Sequence, residues 1–324
     1  MSNALAPGET NRLAHFPVSI FSIVMGICGL AIAWQRAQRV FENIGQIWLA
    51  IAMLATILFA GFLLGYAAKF IRYREQVIAE WKHPIRVNFF PTISISLLLL
   101  SVVWKETSAS SAYILWLLGS VIHIGFTVAI LSSWMYHSHY ELKHATPAWF
   151  IPVVGNLFVP ISAISFGLSE IGWFYFSIGI VFWIVLMTIV LYRVFFHDPI
   201  PPRLLPTLFI LIAPPAVGFI SYSALIPELD AFARILYYTA LFITILLFSN
   251  AARFVRQSFF LSSWAYSFPL AAITIASFLM AHRTGKEMFV WLAFGLLAIL
   301  SIIVLILALK TIDAAARQAI CVPE

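Results

Sequence analysis

The chain has 324 residues, of which 62% are hydrophobic and 10% charged, and its mean hydropathy is +0.98. Soluble domains carry roughly a quarter charged residues, so this composition excludes one and predicts an integral membrane protein. The net charge of +6 does not indicate a nucleic-acid partner, because the basic residues lie in short links between apolar segments. The two cysteines, Cys28 and Cys321, form neither a disulfide framework nor a CxxC site, so we expect no redox chemistry.

The apolar segments predict ten membrane-spanning helices, which use most of the chain and leave one membrane domain over residues 1–324. We expect a polar arm at residues 1–15, a tail at residues 313–324, and a short amphipathic interfacial helix at the start of the link 74–88. The first segment lacks a small-residue cleavage site, which favours a retained span over a signal peptide. The predicted spans are Phe16–Ala37, Ile44–Tyr73, Phe89–Trp104, Ser111–Tyr136, Ala148–Phe166, Ile171–Phe196, Leu204–Ile226, Ala231–Ala252, Phe259–Ala281 and Met288–Ile312.

Basic residues predict the orientation of these spans. With ten spans, 13 of the 19 Lys and Arg residues would lie on the side that holds both termini. By the positive-inside rule, we expect both termini to be cytoplasmic.

Prolines divide the spans into two groups. They occur in the odd-numbered spans, and the even-numbered spans contain none; the prolines concerned are Pro17, Pro91, Pro152, Pro160, Pro206, Pro214, Pro215 and Pro269. Broken backbone at membrane depth is tolerated where it is buried in protein or lines a cavity. The pattern therefore predicts five helical hairpins, each with a kinked inner helix and a straight outer helix, around a central pore. The alternative is that the kinks serve only helix packing.

Ionisable residues are nearly absent from the predicted span interiors, which is unusual for proton-coupled carriers and ion pumps. Only His123 could titrate at membrane depth, and we interpret it as a neutral histidine packed between helices. A wall without acids disfavours cations, and small or polar residues could offer dipoles to an anion. The pore-lining candidates are Gly26, Ser94, Ser96, Asn156, Ser162, Pro214, Ser221, Ser262 and Tyr266.

Four arginines on the predicted cytoplasmic side, Arg86, Arg203, Arg253 and Arg256, are candidates for raising the local anion concentration at the pore mouth. For each of them, a role in topology and lipid phosphate contact is about as good an explanation.

The segment Ser258–Pro269, SFFLSSWAYSFP, is uncharged and combines paired phenylalanines with small residues, aromatic rings and a proline. An apolar ring at a narrow point of a kinked inner helix can close a pore by steric blockage and by excluding water. We therefore predict a gate at Phe259 or Phe260. The two rings would point about 100° apart on a helix, so only one of them can face the axis.

One segment has the composition of a metal site: His137, His139, Glu141 and His144 follow the fourth span. A membrane metal enzyme needs several such histidine clusters on one side, and the chain offers only single histidines elsewhere on that side. We interpret this segment as an interfacial loop and expect no metal, no cofactor and no enzymatic activity.

Five dispersed motifs resemble the tellurite-resistance/dicarboxylate transporter family, which includes bacterial TehA and the plant guard-cell slow anion channels. They are FPV at 16–18 with Gly26 beyond it, HPIRVNFF at 83–90, PVVGN at 152–156, IAPP at 212–215 and SSWAYSFP at 262–269. The resemblance covers most of the chain. It departs at Ser263, where the plant channels have the first of two consecutive tryptophans.

This resemblance implies a homotrimer in the bacterial inner membrane, in which each protomer encloses a pore that a phenylalanine on the ninth helix closes; that ring corresponds to Phe259. The expected partners are membrane lipids and small inorganic anions. The missing buried carboxylates favour passive flow of monovalent anions, with nitrate ahead of chloride because an apolar wall replaces little lost hydration. A proton-coupled carrier of C4-dicarboxylates such as malate, or a transporter related to tellurite resistance, is the alternative.

Overall fold

The computed structural model describes residues 12–41, 45–137 and 140–322, and all regular structure in those residues is helical. Ten helices are long and apolar enough to cross a membrane, as the sequence predicts. In chain order, spans one to ten are Val18–Gln38, Ile47–Arg72, Arg86–Trp104, Ala109–Tyr136, Pro147–Phe166, Ser169–Phe196, Pro202–Leu225, Ala231–Phe248, Leu261–Thr284 and Glu287–Ala316. Ile44, the predicted start of span two, lies outside the described residues.

Odd and even spans differ sharply in burial. In the most apolar window of each odd span, 67–83% of the residues are buried inside the protein, against 17–39% for the even spans. The odd spans therefore form an inner ring and the even spans an outer one, which confirms the arrangement that the proline pattern predicts.

Backbone winding explains why the inner helices are kinked. Each odd span opens with a 3₁₀ segment, at Val18–Ile20, Arg86–Phe89, Pro147–Phe150, Pro202–Ile212 and Leu261–Tyr266. The even spans are single α-helices. Proline cannot donate the backbone hydrogen bond that continues an α-helix, so the nearby turns rewind. Span five, which contains Pro147, Pro152 and Pro160, alternates between 3₁₀ and α segments along its whole length.

The start of span nine differs from the prediction. The helix begins at Leu261, and Phe260 is extended, with φ −130° and ψ 161°. The Phe260 backbone N–H donates to Ser263 Oγ at 3.2 Å, which caps the helix start. Phe259 and Phe260 therefore precede the helix, so the helical spacing assumed for their two rings does not apply.

Close helix contacts fix how the inner ring packs. An added Cβ at Gly26 would lie 2.1 Å from Ser267 Oγ and 2.8 Å from Ser267 Cβ, so spans one and nine approach as closely as glycine allows. Tryptophans tie inner spans to outer ones: Trp104 Nε1 donates to Thr56 Oγ1 at 3.0 Å, and Trp264 Nε1 donates to Thr311 Oγ1 at 2.9 Å. These bonds hold the rotation of spans three and nine, and with it the face that each turns to the centre.

We call the end of the bundle at which the odd spans begin the terminal face, and the opposite end the distal face. The predicted interfacial helix is present at the terminal face, at Arg74–Lys82. It is held by a buried ion pair, because Lys69 Nζ lies 2.8 Å from Glu80 Oε2 and also donates to the Phe16 carbonyl oxygen at 2.8 Å. Tyr66 OH donates to the same Glu80 oxygen at 2.8 Å. The pair is well satisfied by hydrogen bonds, as a buried ion pair requires.

Candidate permeation pathway

A small axial cavity of about 60 Å³ lies between the inner helices. All five odd spans line it. The lining residues are Ser22, Met25, Phe89, Thr92, Ile95, Phe150, Ile151, Val154, Gly155, Phe158, Ile210, Ala213, Trp264, Ala265, Phe268 and Pro269. None of the 16 is charged, and only Ser22 and Thr92 carry hydroxyl groups on their side chains. The centre of the bundle is therefore narrow and almost wholly apolar.

Two phenylalanines of this lining touch each other. The ring centroids of Phe158 in span five and Phe268 in span nine are 5.2 Å apart, with an edge-on angle of 61°. Both side chains are buried, at 4% and 7% exposure. Phe268 directly precedes Pro269, so it projects from the point where span nine changes from 3₁₀ to α winding. The two rings together form an apolar part of the cavity wall.

The polar side chains predicted to line the pore lie between helices. Ser94 Oγ is 2.9 Å from His123 Nδ1 of span four and 2.9 Å from the Pro91 carbonyl oxygen. Ser96 Oγ donates to the Thr92 carbonyl at 2.7 Å. Asn156 Nδ2 reaches Thr127 Oγ1 of span four at 3.0 Å. Serine in a helix commonly bonds the preceding turn, and asparagine joins neighbouring helices, so these groups serve packing.

The remaining pore-lining candidates also lie outside the axial cavity. Gly26 faces span nine, and the Tyr266 ring packs on Phe209 with centroids 4.8 Å apart. The side chains of Ser162 and Ser221 are fully buried, and their hydroxyls make no hydrogen bond within the described part of the chain. Pro214 is buried in span seven and, like the others, is absent from the cavity wall. Ser262 lies at the terminal face.

A wider vestibule of about 550 Å³ opens at the terminal face. Arg86, Arg203 and Ser262 line it, and Ser262 Oγ donates to the Arg203 carbonyl oxygen at 2.5 Å. Arg253 and Arg256 are exposed and lie outside its wall. The C-terminal residues 319–322 also line it. Within the described lining, Glu80 is the one acidic side chain, and it is paired with Lys69.

Phe259 lines this vestibule and a lateral groove of about 590 Å³ beside spans eight and ten, and it does not reach the axial cavity. The Phe260 ring also faces the vestibule, where the Arg203 guanidinium lies 5.8 Å from its centroid. Both rings are half-buried. Phe259, the predicted gate, and its neighbour Phe260 thus lie at the vestibule, directly before the ninth helix begins at Leu261.

Sequence reasoning missed Phe158, Phe268 and the other residues of the axial wall because it looked for polar groups. A usable signal exists, since on each inner helix the lining residues recur three or four positions apart, as in Phe89, Thr92 and Ile95. That spacing marks one face of a helix. The odd spans, in which the prolines occur, are the helices that line the cavity.

The described residues of the histidine segment after span four contact one another and the nearby backbone. His144 Nδ1 accepts from the Glu141 backbone N–H at 3.1 Å, and Lys143 Nζ pairs with Glu141 Oε2 at 2.9 Å. His139 lies outside the described residues. Within the described ranges, no three His, Cys, Asp or Glu side chains are grouped as metal ligands.

Ten spans, an inner ring of kinked helices and a narrow axial cavity define a multi-pass membrane protein of the channel and transporter class. A family model described as voltage-dependent anion channel matches residues 15–312, and the chain belongs to that family. The membership confirms the resemblance that the sequence motifs indicate.

Relatives from plants and bacteria agree with this membership. The chain is 29% identical over 279 residues to S-type anion channel SLAH2 of Arabidopsis thaliana, covering 82% of this chain and 52% of that protein. It is 29% identical over 315 residues to S-type anion channel SLAH3 of the same plant, covering 93% and 48%. The chain thus spans about half the length of these plant relatives. It is 25% identical over 271 residues to a tellurite resistance protein TehA homolog of Haemophilus influenzae, covering 82% and 81%.

Proposed function

We propose that this chain is a single channel domain that conducts small monovalent anions passively along the axis of its inner helices. The observation that carries the proposal is the uncharged wall of the axial cavity, to which all five odd spans contribute. A lumen without carboxylates offers no site that attracts a cation. Two relatives bear the name S-type anion channel, which supports the same conclusion.

The charges that line the vestibule also favour anions over cations. Its described wall carries Lys69, Arg86 and Arg203 against the single acid Glu80. Positive charge in a concave, partly apolar site raises the local concentration of anions. With this face toward the cytoplasm, as the distribution of basic residues supports, the vestibule would collect anions from the cell interior.

The closing element that the geometry favours is Phe268, in contact with Phe158, rather than Phe259. The Phe268 ring lines the narrow cavity, whereas the Phe259 ring borders a vestibule about nine times larger in volume. A volume of about 60 Å³ holds only a few water molecules, so the described conformation is closed to a hydrated ion. Large, weakly hydrated anions such as nitrate would pass an apolar constriction more easily than chloride.

Currents in planar bilayers test the gate and the function together, with nitrate or chloride as anion and a large impermeant cation. Placing a neutral polar group in an apolar site costs about 2–7 kcal/mol. Relieving about 3 kcal/mol of such a cost would raise current roughly 100-fold. We expect that increase for Phe268→Ala and little change for Phe259→Ala.

Phe278→Ala is the matched control, because Phe278 lies in the same span, is 3% exposed and packs on Phe294 away from the axial cavity. Phe278→Ala should pass no more current than the wild type. A large current in Phe259→Ala alone would restore the vestibule ring as the gate. No current in any variant, with malate uptake that follows a pH gradient and needs His123, would support the carrier instead.

The resemblance to bacterial and plant relatives also supports a homotrimer in the bacterial inner membrane, with lipid around the outer spans. The mass of the detergent-solubilised complex, measured by light scattering with the detergent subtracted, tests this assembly. A mass of three chains is expected, and a mass of one chain would contradict it.

A further inference from the structure

Three basic side chains meet at the distal face, where spans one and three end. Arg36 lies in the last turn of span one, Arg39 follows that span directly, and Lys105 follows span three directly. Among the described residues, the acid in contact with this group is Glu106. It forms an ion pair with Arg39, and it accepts a hydrogen bond from Gln35 Nε2 at 3.4 Å. This carboxylate is therefore already engaged.

Arg36 and Lys105 are partly buried, and neither forms a hydrogen bond or an ion pair within the described residues. Burial lowers the pKa of Lys105, and the positive charges of Arg36 and Arg39 lower it further. Partly buried cations are normally paired, because removing a charge from water without compensation is costly. Glu42, in the link after span one, lies outside the described residues and has to be tested separately.

Arg283, another basic residue of the distal face, has structural partners among the described residues, in contrast to Arg36. The guanidinium of Arg283, at the end of span nine, donates to the Ser223 carbonyl oxygen at 2.9 Å and to the Pro227 carbonyl. It caps the end of span seven, which is a structural use of a basic residue at a helix C-terminus. No comparable structural contact engages the Arg36 guanidinium within the described chain.

Helical spacing places Arg36 on the pore side of span one. Ser22 and Met25 line the axial cavity, and Gly29 and Arg36 follow at intervals that keep the same helix face. An added Cβ at Gly29 would lie 2.6 Å from Ala271 Cβ and 3.3 Å from Phe268 Cδ2, so this face packs on span nine beside the Phe268 ring. Arg36 then lies about 16 Å beyond Met25 along the helix, toward the distal face.

We infer that Arg36, with Lys105 beside it, forms a binding site for a small inorganic anion at the distal mouth of the pathway. The inference rests on the proposed function, because it assumes that the axial cavity leads to this mouth. A guanidinium offers paired N–H donors that suit a planar oxyanion such as nitrate, and an ammonium adds a point charge. The site would raise the anion concentration at the end of the pathway opposite the vestibule.

Bromide is a direct probe of binding that needs no conduction. In crystals of the full chain soaked in bromide, we expect an anomalous peak within contact distance of the Arg36 guanidinium, lost in Arg36→Gln. Lys286→Gln is the matched control, because Lys286 is exposed on the same face in the link after span nine. Glu42→Gln should leave the peak in place. A wild-type crystal without this peak, or an unchanged peak in Arg36→Gln, would overturn the site.

Conduction gives the second readout in the background of Phe268→Ala. Adding Arg36→Gln should raise the half-saturating nitrate concentration on the distal side about tenfold and leave the vestibule side unchanged. Adding Lys286→Gln should change neither. If the half-saturating nitrate concentration is the same with and without Arg36→Gln, the anion site is rejected. Anion current in the Phe268→Ala background would still support the channel function. If the Phe268→Ala variant passes no anion current, the channel function is rejected. The bromide experiment then tests the anion site by itself.

Discussion

The contact between Gly26 and Ser267 sets how closely spans one and nine approach. In an open environment, Gly→Ala in a helix stabilises by about 1 kcal/mol. At Gly26 the new Cβ would overlap Ser267 Oγ and Cβ, at 2.1 and 2.8 Å, and would lie 3.1 Å from Trp264 Cε3. Overpacking of this kind costs about 1–3 kcal/mol. Because the Ser267 Cβ cannot rotate away, we expect Gly26→Ala to lower stability by about 1–2 kcal/mol.

Thermal unfolding in detergent, followed by circular dichroism, measures this loss. Gly61→Ala in span two is the control, because an added Cβ at Gly61 meets no atom within 4 Å. It should be neutral or slightly stabilising. The double variant Gly26→Ala with Ser267→Gly should recover at least about 1 kcal/mol relative to the sum of the single changes. Additive effects, or a Gly26→Ala variant as stable as the wild type, would refute the close approach of these helices.

Two further predictions concern the terminal face. Glu80→Gln leaves the buried Lys69 ammonium without its carboxylate, so the free energy of unfolding in detergent should fall by about 3–5 kcal/mol. Glu75 is exposed, so Glu75→Gln should have no effect. Equal melting temperatures of the two variants would contradict the role of the ion pair. Cys321 lines the vestibule and its thiol pKa is raised by burial, whereas Cys28 is fully buried within span one. A membrane-impermeant maleimide should therefore label Cys321 slowly and only from the cytoplasmic side, and labelling from outside intact cells would reverse the proposed orientation.

Much of the architecture could be predicted from the sequence because lipid imposes simple rules. Ten apolar segments gave the spans, and proline placement separated inner from outer helices, since only buried or cavity-lining backbone tolerates such breaks. The Arg74–Lys82 helix was also predicted. These features depend on local composition, which one sequence contains in full.

The wall of the pathway could not be predicted by the same reasoning. Polar residues such as Ser94 and Asn156 were expected in the lumen, but in an apolar bundle their hydrogen bonds go to the helix backbone and to span four. The prediction of a gate at Phe259 assumes that this residue is helical, but the helix begins only at Leu261, where Ser263 caps its start. Which aromatic ring meets the axis depends on helix rotation, and that rotation is set by distant contacts such as Gly26 with Ser267.

We propose that anions cross along the axial cavity once Phe268 no longer fills it. The most direct measurement is the reversal potential of the Phe268→Ala variant under a tenfold gradient of a nitrate salt whose cation is small enough to permeate. We expect a potential that approaches the Nernst value for nitrate and shifts toward zero when the nitrate gradient is abolished. A potential that follows the cation gradient, or no ohmic current while Phe268→Ala protein is folded in the bilayer, would contradict it.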